Sequence, residues 1–315
     1  MNFRKNQSDK AIKLMADGEI FWNDKGNGNY RGRPYPFALQ SGENNIYKPV
    51  RDAVKKYFSD NRISWWGGKI ITTHPLSSQA ACLNHLFPIR GDREAVLSIA
   101  STVDSDIIDV LPIKIDRGEY GFIAFEVTSA KDHLNEGVVS RGNNCTSIDA
   151  LILAKRKNGS STLLAIEWKY TEFYPNTDKG AGKPGAVRKA RYENLIANSQ
   201  QLITKKDDIF YQHIYYFEPF YQLMRQTLWM EQMLKHKDTE QIKADDYLHL
   251  HVIPAENTNL LNKTYFGGKE MEATWRRCLC NKNKYKIISP KDLLSPLDRT
   301  KYGDLLKYLE TRYWD

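Results

Sequence analysis

Two consecutive apolar stretches in the middle of the chain constrain the fold more than any other feature. Residues 148–155 and 162–170 are apolar for most of their length. As extended strands, both would be apolar on both faces. Such runs are typical of strands in a sheet that is covered on both faces. Asn158-Gly159 lies between them, and an Asn-Gly pair flanked by apolar runs is a strong hairpin signal. The sequence therefore predicts a buried β-hairpin inside an α/β protein.

Charged residues interrupt the second stretch near its end. Side chains alternate along a strand, so Glu167 and Lys169 share one face, whereas Trp168 points to the other face and is predicted to lie in the core. Burying charge is costly unless it is paired or bound to a metal. Asp149 begins the preceding strand, and the hairpin brings it beside Glu167 and Lys169.

This set of charges points to one kind of chemistry. The carboxylates of Asp149 and Glu167 would offer the oxygen ligands that Mg²⁺ or Mn²⁺ prefers. Lys169 would stabilise charge developing on a phosphate or position the attacking water. Metal-assisted phosphodiester hydrolysis is the reaction that needs all three groups. The alternative is a buried ion cluster with a purely structural role.

The register of the hairpin decides whether this site can form. A strict two-residue turn would place Asp149 opposite Trp168, on the wrong face, because a slip of one residue inverts every side chain. We therefore expect a three-residue turn, such as Asn158–Ser160 with a glycine bulge, or a bulge within a strand. A flat two-residue hairpin with Asp149 pointing away from Glu167 would contradict the site.

Two further carboxylates are candidates for the same site. Glu126 lies in a predicted strand over residues 119–128, and it either supplies an additional metal ligand, forms a salt bridge or faces water. Glu172 follows Lys169 just past the strand. It is either a site residue or a solvated loop carboxylate.

The spacing of these residues resembles a known signature. Asp149 is followed eighteen positions later by Glu167-Trp168-Lys169, which resembles the signature of the PD-(D/E)XK nuclease superfamily, with Ile148 where the signature has proline. The segments that resemble a family of bacterial restriction-endonuclease-like proteins of mostly unassigned role are Leu76–Asn84, Arg141–Asp149 and Ile166–Glu172. The resemblance implies an α-β-β-β-α-β core, metal-dependent cleavage of nucleic acid, and a further ligand of the kind that Glu126 would supply from the first strand.

The rest of the chain completes an α/β pattern. Helical periodicity predicts helices over residues 47–58, 77–87, 91–100, 184–204, about 299–313, and one that Pro219 opens. A further strand is predicted over residues 247–253. We therefore expect a restriction-endonuclease-like α-β-β-β-α-β core with a mixed sheet and helical additions. No linker is evident, so residues 1–75 are an expected N-terminal elaboration, and residues 76–315 an expected nuclease core with a C-terminal helical extension, in one compact domain.

The charge of the chain bears on its partners. The 315 residues include 46 Lys and Arg against 38 Asp and Glu, a net charge of +8 with a pI near 9.1. Nucleic acid is the commonest acidic partner, although a basic protein without such a partner has the same balance. Lys183, Arg188 and Arg191 lie near the start of the predicted helix over residues 184–204, where anions bind readily. They either contact nucleic acid or form a solvated basic face.

A second basic segment lies near the N-terminus. Residues 23–45 are rich in Gly and Asn and include Arg31 and Arg33 beside Tyr30 and Tyr35, which predicts an irregular loop. The segment either contacts nucleic acid through phosphates and stacked bases or is an ordinary surface loop.

Other patterns exclude several classes of protein. No apolar run approaches the roughly 18 residues of a membrane span, and no secretory signal is evident, so we expect a cytoplasmic protein without a membrane partner. The histidines at positions 249 and 251 are predicted to be structural. The residues predicted to be free thiols are Cys82, Cys145, Cys278 and Cys280.

The predicted function is a metal-dependent DNA endonuclease that uses Mg²⁺ or Mn²⁺ in restriction, defence or repair. One alternative is a nucleic-acid-binding protein of the same fold with weak or no catalysis. Another is a protein unrelated to nucleic acid. The sequence leaves open RNA as a substrate, attack at ends or interiors, and a homodimeric state.

Overall fold

The computed structural model describes most of the chain, namely residues 2–66, 68, 70–114, 120–137, 139, 141, 145–175, 178–205, 207–265 and 268–314. These residues form eleven α-helices: Phe3–Asp17 (α1), Arg51–Asp60 (α2), Ser78–Leu86 (α3), Arg93–Val103 (α4), Gly182–Ala197 (α5), Ile209–His213 (α6), Phe220–Lys235 (α7), Thr258–Leu261 (α8), Met271–Arg277 (α9), Pro290–Leu294 (α10) and Arg299–Arg312 (α11). They also form eight strands: Asn29–Tyr30 (β1), Arg33–Pro34 (β2), Ile107–Leu111 (β3), Ala124–Val127 (β4), Ile148–Arg156 (β5), Ser161–Trp168 (β6), Asp246–Val252 (β7) and Tyr285–Ile288 (β8).

Six strands form one mixed sheet in the order β3-β5-β6-β7-β8, with β4 also paired to β5. Strands β3, β4 and β6 run antiparallel to β5, whereas β7 runs parallel to β6 and to β8. Parallel neighbours need a long crossover, and α5 to α7 provide it between β6 and β7. The predicted α/β class, mixed sheet and α-β-β-β-α-β order are confirmed. The short strands β3 and β8 do not follow from the sequence pattern.

Both faces of the central hairpin are covered, which explains why its strands read as continuous apolar runs. Ile152, Ile166 and Trp168 lie in one buried cluster with side chains from α1 to α4, α10 and α11. Leu151 and Leu163 lie in a second cluster with side chains from α5, α6, α7 and α9. The predicted core position of Trp168 is confirmed.

The hairpin between β5 and β6 has the register that the candidate site requires. Leu151 pairs with Ala165, and the pairs on either side follow the same spacing. This spacing sets Asp149 opposite Glu167. Because directly opposed residues share a face, the two carboxylates face the same region.

A glycine turn fixes this register. The N–H of Arg156 donates to the carbonyl of Ser160 at 2.9 Å, and three residues, Lys157–Gly159, lie between this hydrogen-bonded pair. Gly159 has a φ of +85°, a conformation that glycine adopts without the steric cost paid by other residues. The predicted three-residue turn with glycine is confirmed, one position earlier than the Asn158–Ser160 example.

Strand β4 bends sharply at Glu126, where φ is +50°. Few residues other than glycine adopt this conformation. Ala124 and Val127 both reach the second cluster, whereas Phe125 reaches the first. The normal alternation of a strand therefore fails around Glu126, and its side-chain direction does not follow from the sequence.

Helix α5 differs from its prediction at both ends. It begins at Gly182, two residues before Pro184, and it ends at Ala197 rather than at residue 204. Leu202 instead pairs with Leu279 in an isolated bridge. The predicted end was wrong because Leu202, although outside the helix, is buried in the same cluster as the helix and so mimics the helical period.

The four cysteines are free thiols in the structure, in agreement with the prediction. None of the described helices combines the length and the apolar content that crossing a bilayer would require.

Candidate active site

Asp149, Glu167 and Lys169 line one cleft of about 590 Å³. Strand β5 supplies Asp149, and the end of β6 supplies Glu167. Lys169 follows β6 directly, and its N–H donates to the carbonyl of Val252 at 2.9 Å, so pairing with β7 continues through this residue. The start of α3 and the middle of α7 also contribute to the cleft, whose other lining residues are Trp66, Leu76, Ser77, Ser78, Gln79, Glu126, Cys145, Ser147, Glu172, Tyr174, Gln222 and Arg225.

Glu167 is held by a network of hydrogen bonds from α7. Its Oε1 accepts a hydrogen bond from Nε2 of Gln222 at 2.6 Å and also pairs with the ammonium of Lys169. Its Oε2 accepts from the side-chain amide of Gln226. Nε2 of His249 lies 3.0 Å from Oε1 of Gln226, so the network continues to β7. The buried carboxylate is therefore paired and hydrogen-bonded at both oxygens, as burial of a charge requires.

Lys169 is a protonated cation in this cleft. Its ammonium also donates to Oε1 of Gln222 at 2.7 Å. Burial lowers the pKa of Lys169, but Glu167, followed by Tyr174, Glu172 and Asp149, raises this pKa well above its ordinary value. The side chain is therefore suited to balance negative charge rather than to remove a proton.

One oxygen of Asp149 has no hydrogen-bond partner among the residues that the structure describes. Its Oδ2 accepts the N–H of Trp168 at 2.8 Å, whereas no described residue hydrogen-bonds its Oδ1. Burial, and then the charges of Glu167 and Glu126, raise the pKa of Asp149 well above its ordinary range, although Lys169 opposes the shift. The negative charge here is undercompensated.

Glu126 joins the same cluster of carboxylates from the bend in β4. Its Oε1 accepts from Nε2 of Gln79 at 2.6 Å, and its Oε2 accepts from the hydroxyl of Ser147 at 3.0 Å. Burial raises the pKa of Glu126, as does Glu167, while the two hydrogen bonds lower it less. Gln79 is in place because Ser77 caps the start of α3, where its hydroxyl accepts the N–H of Ala80.

The donor chemistry of the cleft fits a hard divalent cation. Carboxylate oxygens suit Mg²⁺ or Mn²⁺, and a bound cation would offset the burial and, after it, the mutual repulsion that raise the pKa values of Asp149 and Glu126. Within the described part of the chain, however, no group of three or more His, Cys, Asp or Glu side chains is already arranged to hold a metal ion. Glu167 and Glu126 would therefore bind a cation through oxygens that already accept hydrogen bonds, which the second lone pair of a carboxylate oxygen allows.

Glu172 lies in the wall of the cleft, where the first of its two predicted roles, that of a site residue, requires it to be. Its Oε2 accepts the N–H of Tyr170 at 2.6 Å. The neighbouring ring of Tyr174 has its centroid 5.7 Å from Nζ of Lys169. Glu172 therefore lies near the lysine, and its role in the site stays a prediction.

The basic residues predicted to contact nucleic acid lie outside this cleft lining. Lys183, Arg188 and Arg191 are on α5, and Nη1 of Arg188 donates to the carbonyl of Lys179 at 2.8 Å. The structure thus gives Arg188 a role in holding the loop before the helix. Contact of the three residues with nucleic acid stays a prediction.

Several cleft residues were not found from the sequence. Gln222, Arg225 and Gln226 lie on α7, whose amphipathic pattern predicts only a packed helix. Gln222 and Gln226 are one helical turn apart and so share a face. A polar pair at this spacing inside an otherwise apolar helix is the signal that could have identified them.

The histidines of β7 are buried and uncharged. Burial lowers the pKa of His249 to about 3 and that of His251 well below its ordinary value. Nδ1 of His251 lies 2.9 Å from the hydroxyl of Tyr285. These contacts agree with the predicted structural role, with His249 also supporting Gln226.

Comparison with known proteins identifies a family. A family model described as restriction endonuclease associating with ARP matches residues 7–314, nearly the whole chain, and the chain therefore belongs to this family. No curated protein and no solved structure matches the chain. The membership supports the predicted restriction-endonuclease-like family, a nuclease type of function and DNA as the substrate.

Proposed function

We propose that this member of the family of restriction endonucleases associating with ARP is a metal-dependent endonuclease of the PD-(D/E)XK type. It would hydrolyse phosphodiester bonds in DNA, with Mg²⁺ or Mn²⁺, in cytoplasmic restriction, defence or repair. The observation that carries the proposal is the convergence of Asp149, Glu167 and Lys169 in one cleft, through a hairpin register that sets the two carboxylates opposite each other.

Each of the three residues has a distinct role in this proposal. Asp149 and Glu167 would hold the divalent cation, with Glu126 as a further ligand. When bound, such a cation polarises the phosphodiester and lowers the pKa of a bound water. Asp149 would offer its Oδ1, and Glu167 would offer the second lone pair of its Oε2, which already accepts from Gln226. Lys169, already protonated, would balance the charge that develops on the phosphate.

The amide side chains around the cleft would position these groups. Gln222 and Gln226 hold Glu167 from α7, and Gln79 holds Glu126 from α3. Groups fixed by such contacts keep their geometry during a reaction. The cleft would therefore be largely formed before substrate arrives.

A second candidate function is binding of nucleic acid without efficient cleavage. It is favoured by the hydrogen bonds that occupy both oxygens of Glu167. If these contacts and the ion pair with Lys169 persist in the presence of metal, they compete with the metal for the lone pairs of Glu167 and weaken it as a ligand. The basic charge would then support binding alone.

The test is cleavage of supercoiled plasmid in Mg²⁺, Mn²⁺ or EDTA by wild type, by Lys169→Ala and by the control Lys157→Ala. Lys157 lies in the hairpin turn, its side chain is 62% exposed, and it pairs only loosely with Asp106. We expect metal-dependent nicking by wild type and control, and a loss of at least about a hundredfold in the rate of Lys169→Ala.

Binding of the same DNA, measured in EDTA over a range of salt concentrations, separates the candidates. Tight, salt-sensitive binding without cleavage in any metal would favour the second function. The absence of both cleavage and binding would contradict both functions.

A further inference from the structure

The mouth of the cleft carries an exposed stack of aromatic rings. Trp66 lines the cleft yet is 46% exposed, and its ring stacks on that of Tyr30 with centroids 6.3 Å apart and planes 18° apart. The guanidinium of Arg31 lies 5.3 Å from the centroid of Tyr30 and 5.5 Å from that of Trp66. We call Tyr30, Arg31 and Trp66 the aromatic platform.

The platform is held in place by defined contacts. The ring of Tyr30 packs edge-on against His74 with centroids 4.6 Å apart. The N–H of Trp66 donates to Oε1 of Gln79 at 2.8 Å, and Gln79 also holds the carboxylate of Glu126. One side chain therefore connects the platform to the carboxylates below it.

The segment that carries Tyr30 is also well fixed. Asp24 is buried, and its carboxylate accepts the N–H groups of Gly26, Gln40 and Ser41, each at 3.0 Å. The same segment pairs β1 with β2. Part of residues 23–45, expected to be irregular, is thus a small ordered hairpin that presents an aromatic ring and an arginine.

Another lining residue, on α7, is an arginine with unused donors. Arg225 lines the cleft, and its Nε has no hydrogen-bond partner among the described residues. Its anionic neighbour Glu136 is 3.6 Å from Nη1, too far for a good hydrogen bond. Glu136 accepts shorter bonds of 2.6 Å from Thr146 and Tyr192. The Arg225 side chain is 24% exposed, so its terminal N–H groups, rather than the buried Nε, are available for a phosphate, which arginine binds through paired N–H groups.

Three of the four groups proposed to act on the phosphodiester lie below the surface, and Asp149 is partly exposed. Glu167 is 1% exposed, Lys169 is 5% and Glu126 is 7%. An intact duplex keeps its bases stacked inside and presents a stiff backbone. A flexible single strand enters a recessed cleft more readily than a stiff duplex does, and aromatic rings hold unpaired bases regardless of their sequence.

We infer that the cleft takes a DNA strand at an unpaired position, with one base stacked on Trp66 of the aromatic platform and a neighbouring phosphate bound by Arg225. The inference rests on the proposed function for the identity of the cleft. It adds that the substrate is single-stranded or locally unpaired DNA rather than an intact duplex.

The test compares three fluorescein-labelled oligonucleotides of one sequence: a single strand, a full duplex, and a duplex with an internal unpaired stretch. Binding is measured by anisotropy in EDTA, and cleavage is measured in Mn²⁺. We expect wild type to bind and cut the single strand and the interrupted duplex better than the full duplex. For the first two substrates, Trp66→Ala should weaken binding by about tenfold or more.

Two variants and one control show whether stacking is responsible. Trp66→Phe keeps a flat ring and should retain most of the affinity, whereas Trp66→Leu keeps apolar surface without a ring and should lose it. Tyr120→Ala removes a ring that is 65% exposed but does not line the cleft, and it should bind like wild type. Thermal unfolding identifies any variant that fails to fold, in which case the comparison of Phe with Leu decides.

The phosphate contact has its own measurement. Arg225→Gln should weaken binding of the single strand and reduce the slope of log affinity against log salt by about one. Arg225→Lys should restore the slope but not the full affinity, because lysine lacks the paired donors of arginine. Arg299→Gln removes an exposed arginine of α11 and serves as the control.

The outcomes separate this inference from the proposed function. Equal binding of all three oligonucleotides, or no difference between Trp66→Ala and Tyr120→Ala, would overturn the inference even if plasmid is cut. Preference for unpaired DNA that depends on Trp66, without cleavage in any metal, would support the inference and contradict the nuclease.

Discussion

The two ends of the β5–β6 hairpin hold clusters of carboxylates under opposite electrostatic conditions. At the turn end, Arg156 pairs with Asp104 at 2.9 Å and with Asp246 at 2.7 Å, and Lys284 also pairs with Asp246 at 2.8 Å. Two carboxylates there meet two cations.

At the cleft end, Asp149, Glu126 and Glu167 repel one another, and the ammonium of Lys169 attracts Glu167 and Asp149. Burial raises the pKa of Asp246 at the turn end, but Lys284 and Arg156 outweigh it and lower this pKa overall. At the cleft end, the pKa values of Asp149 and Glu126 are raised instead. The same two strands thus hold a balanced cluster that stabilises the fold and an unbalanced cluster that costs stability. A site that binds a divalent cation, and through it a phosphate, requires excess negative charge from the protein. Stability is often lost at such sites.

The largest expected contrast concerns activity. Asp149→Asn should lower the rate of DNA cleavage by at least about a hundredfold, because the amide cannot replace a charged ligand. Asp246→Asn, the matched change at the turn end, should leave the rate unchanged. Plasmid nicking under single-turnover conditions measures both. Equal rates for the two variants would remove the functional distinction between the ends.

The second contrast concerns stability, for which the turn end should matter more than it does for activity. Arg156→Ala leaves Asp104 and Asp246 without their shared cation. Since all three side chains are partly exposed, the loss in free energy of unfolding should be about 2 kcal/mol, less than for a fully buried pair. Urea denaturation measures this loss, and cleavage below the melting temperature should be unaffected. A variant as stable as wild type would show that the turn end is not a stabilising cluster.

In EDTA, the contributions of the two ends to the free energy of unfolding should change with pH in opposite directions. A carboxyl whose folded pKa is raised favours folding less as pH rises through that pKa, whereas one whose folded pKa is lowered loses its contribution as pH falls below the ordinary value. Between about pH 3 and pH 6, around the ordinary carboxyl pKa values, wild type should gain stability relative to Asp246→Asn as pH rises. Over the same range it should lose stability relative to Asp149→Asn. Parallel pH profiles of the two variants would contradict the comparison.

Local sequence predicted the parts of the site that lie within one hairpin. The Asn-Gly pair and the apolar runs predicted the hairpin, and the requirement that Asp149 face Glu167 predicted its three-residue turn. The parts missed come from segments distant in the sequence, such as Gln222, which lies 55 positions from Glu167. No local pattern predicts which residue of a distant helix will face a strand.

The bend at Glu126 was missed for a different reason. Glutamate rarely adopts a positive φ such as the +50° found here, so the residue type gives no sign of the bend. Trp66 likewise reaches the cleft only through the packing of a loop on α3. The fold class and the central carboxylates followed from periodicity, whereas the walls of the cleft depend on tertiary packing.

The smallest expected effect tests what fixes the register shared by both ends. Gly159→Ala adds a Cβ that meets nothing within 4 Å, so its cost is the left-handed conformation alone, about 1 kcal/mol. Gly159→Asn should cost less because asparagine tolerates this conformation, and Gly91→Ala, at an open site without positive φ, should cost nothing. Thermal unfolding ranks the three. Cleavage by Gly159→Ala should persist, because burial of both faces of β5 and β6 holds the register once formed. A folded Gly159→Ala that no longer cuts DNA would instead show that the turn alone sets Asp149 opposite Glu167.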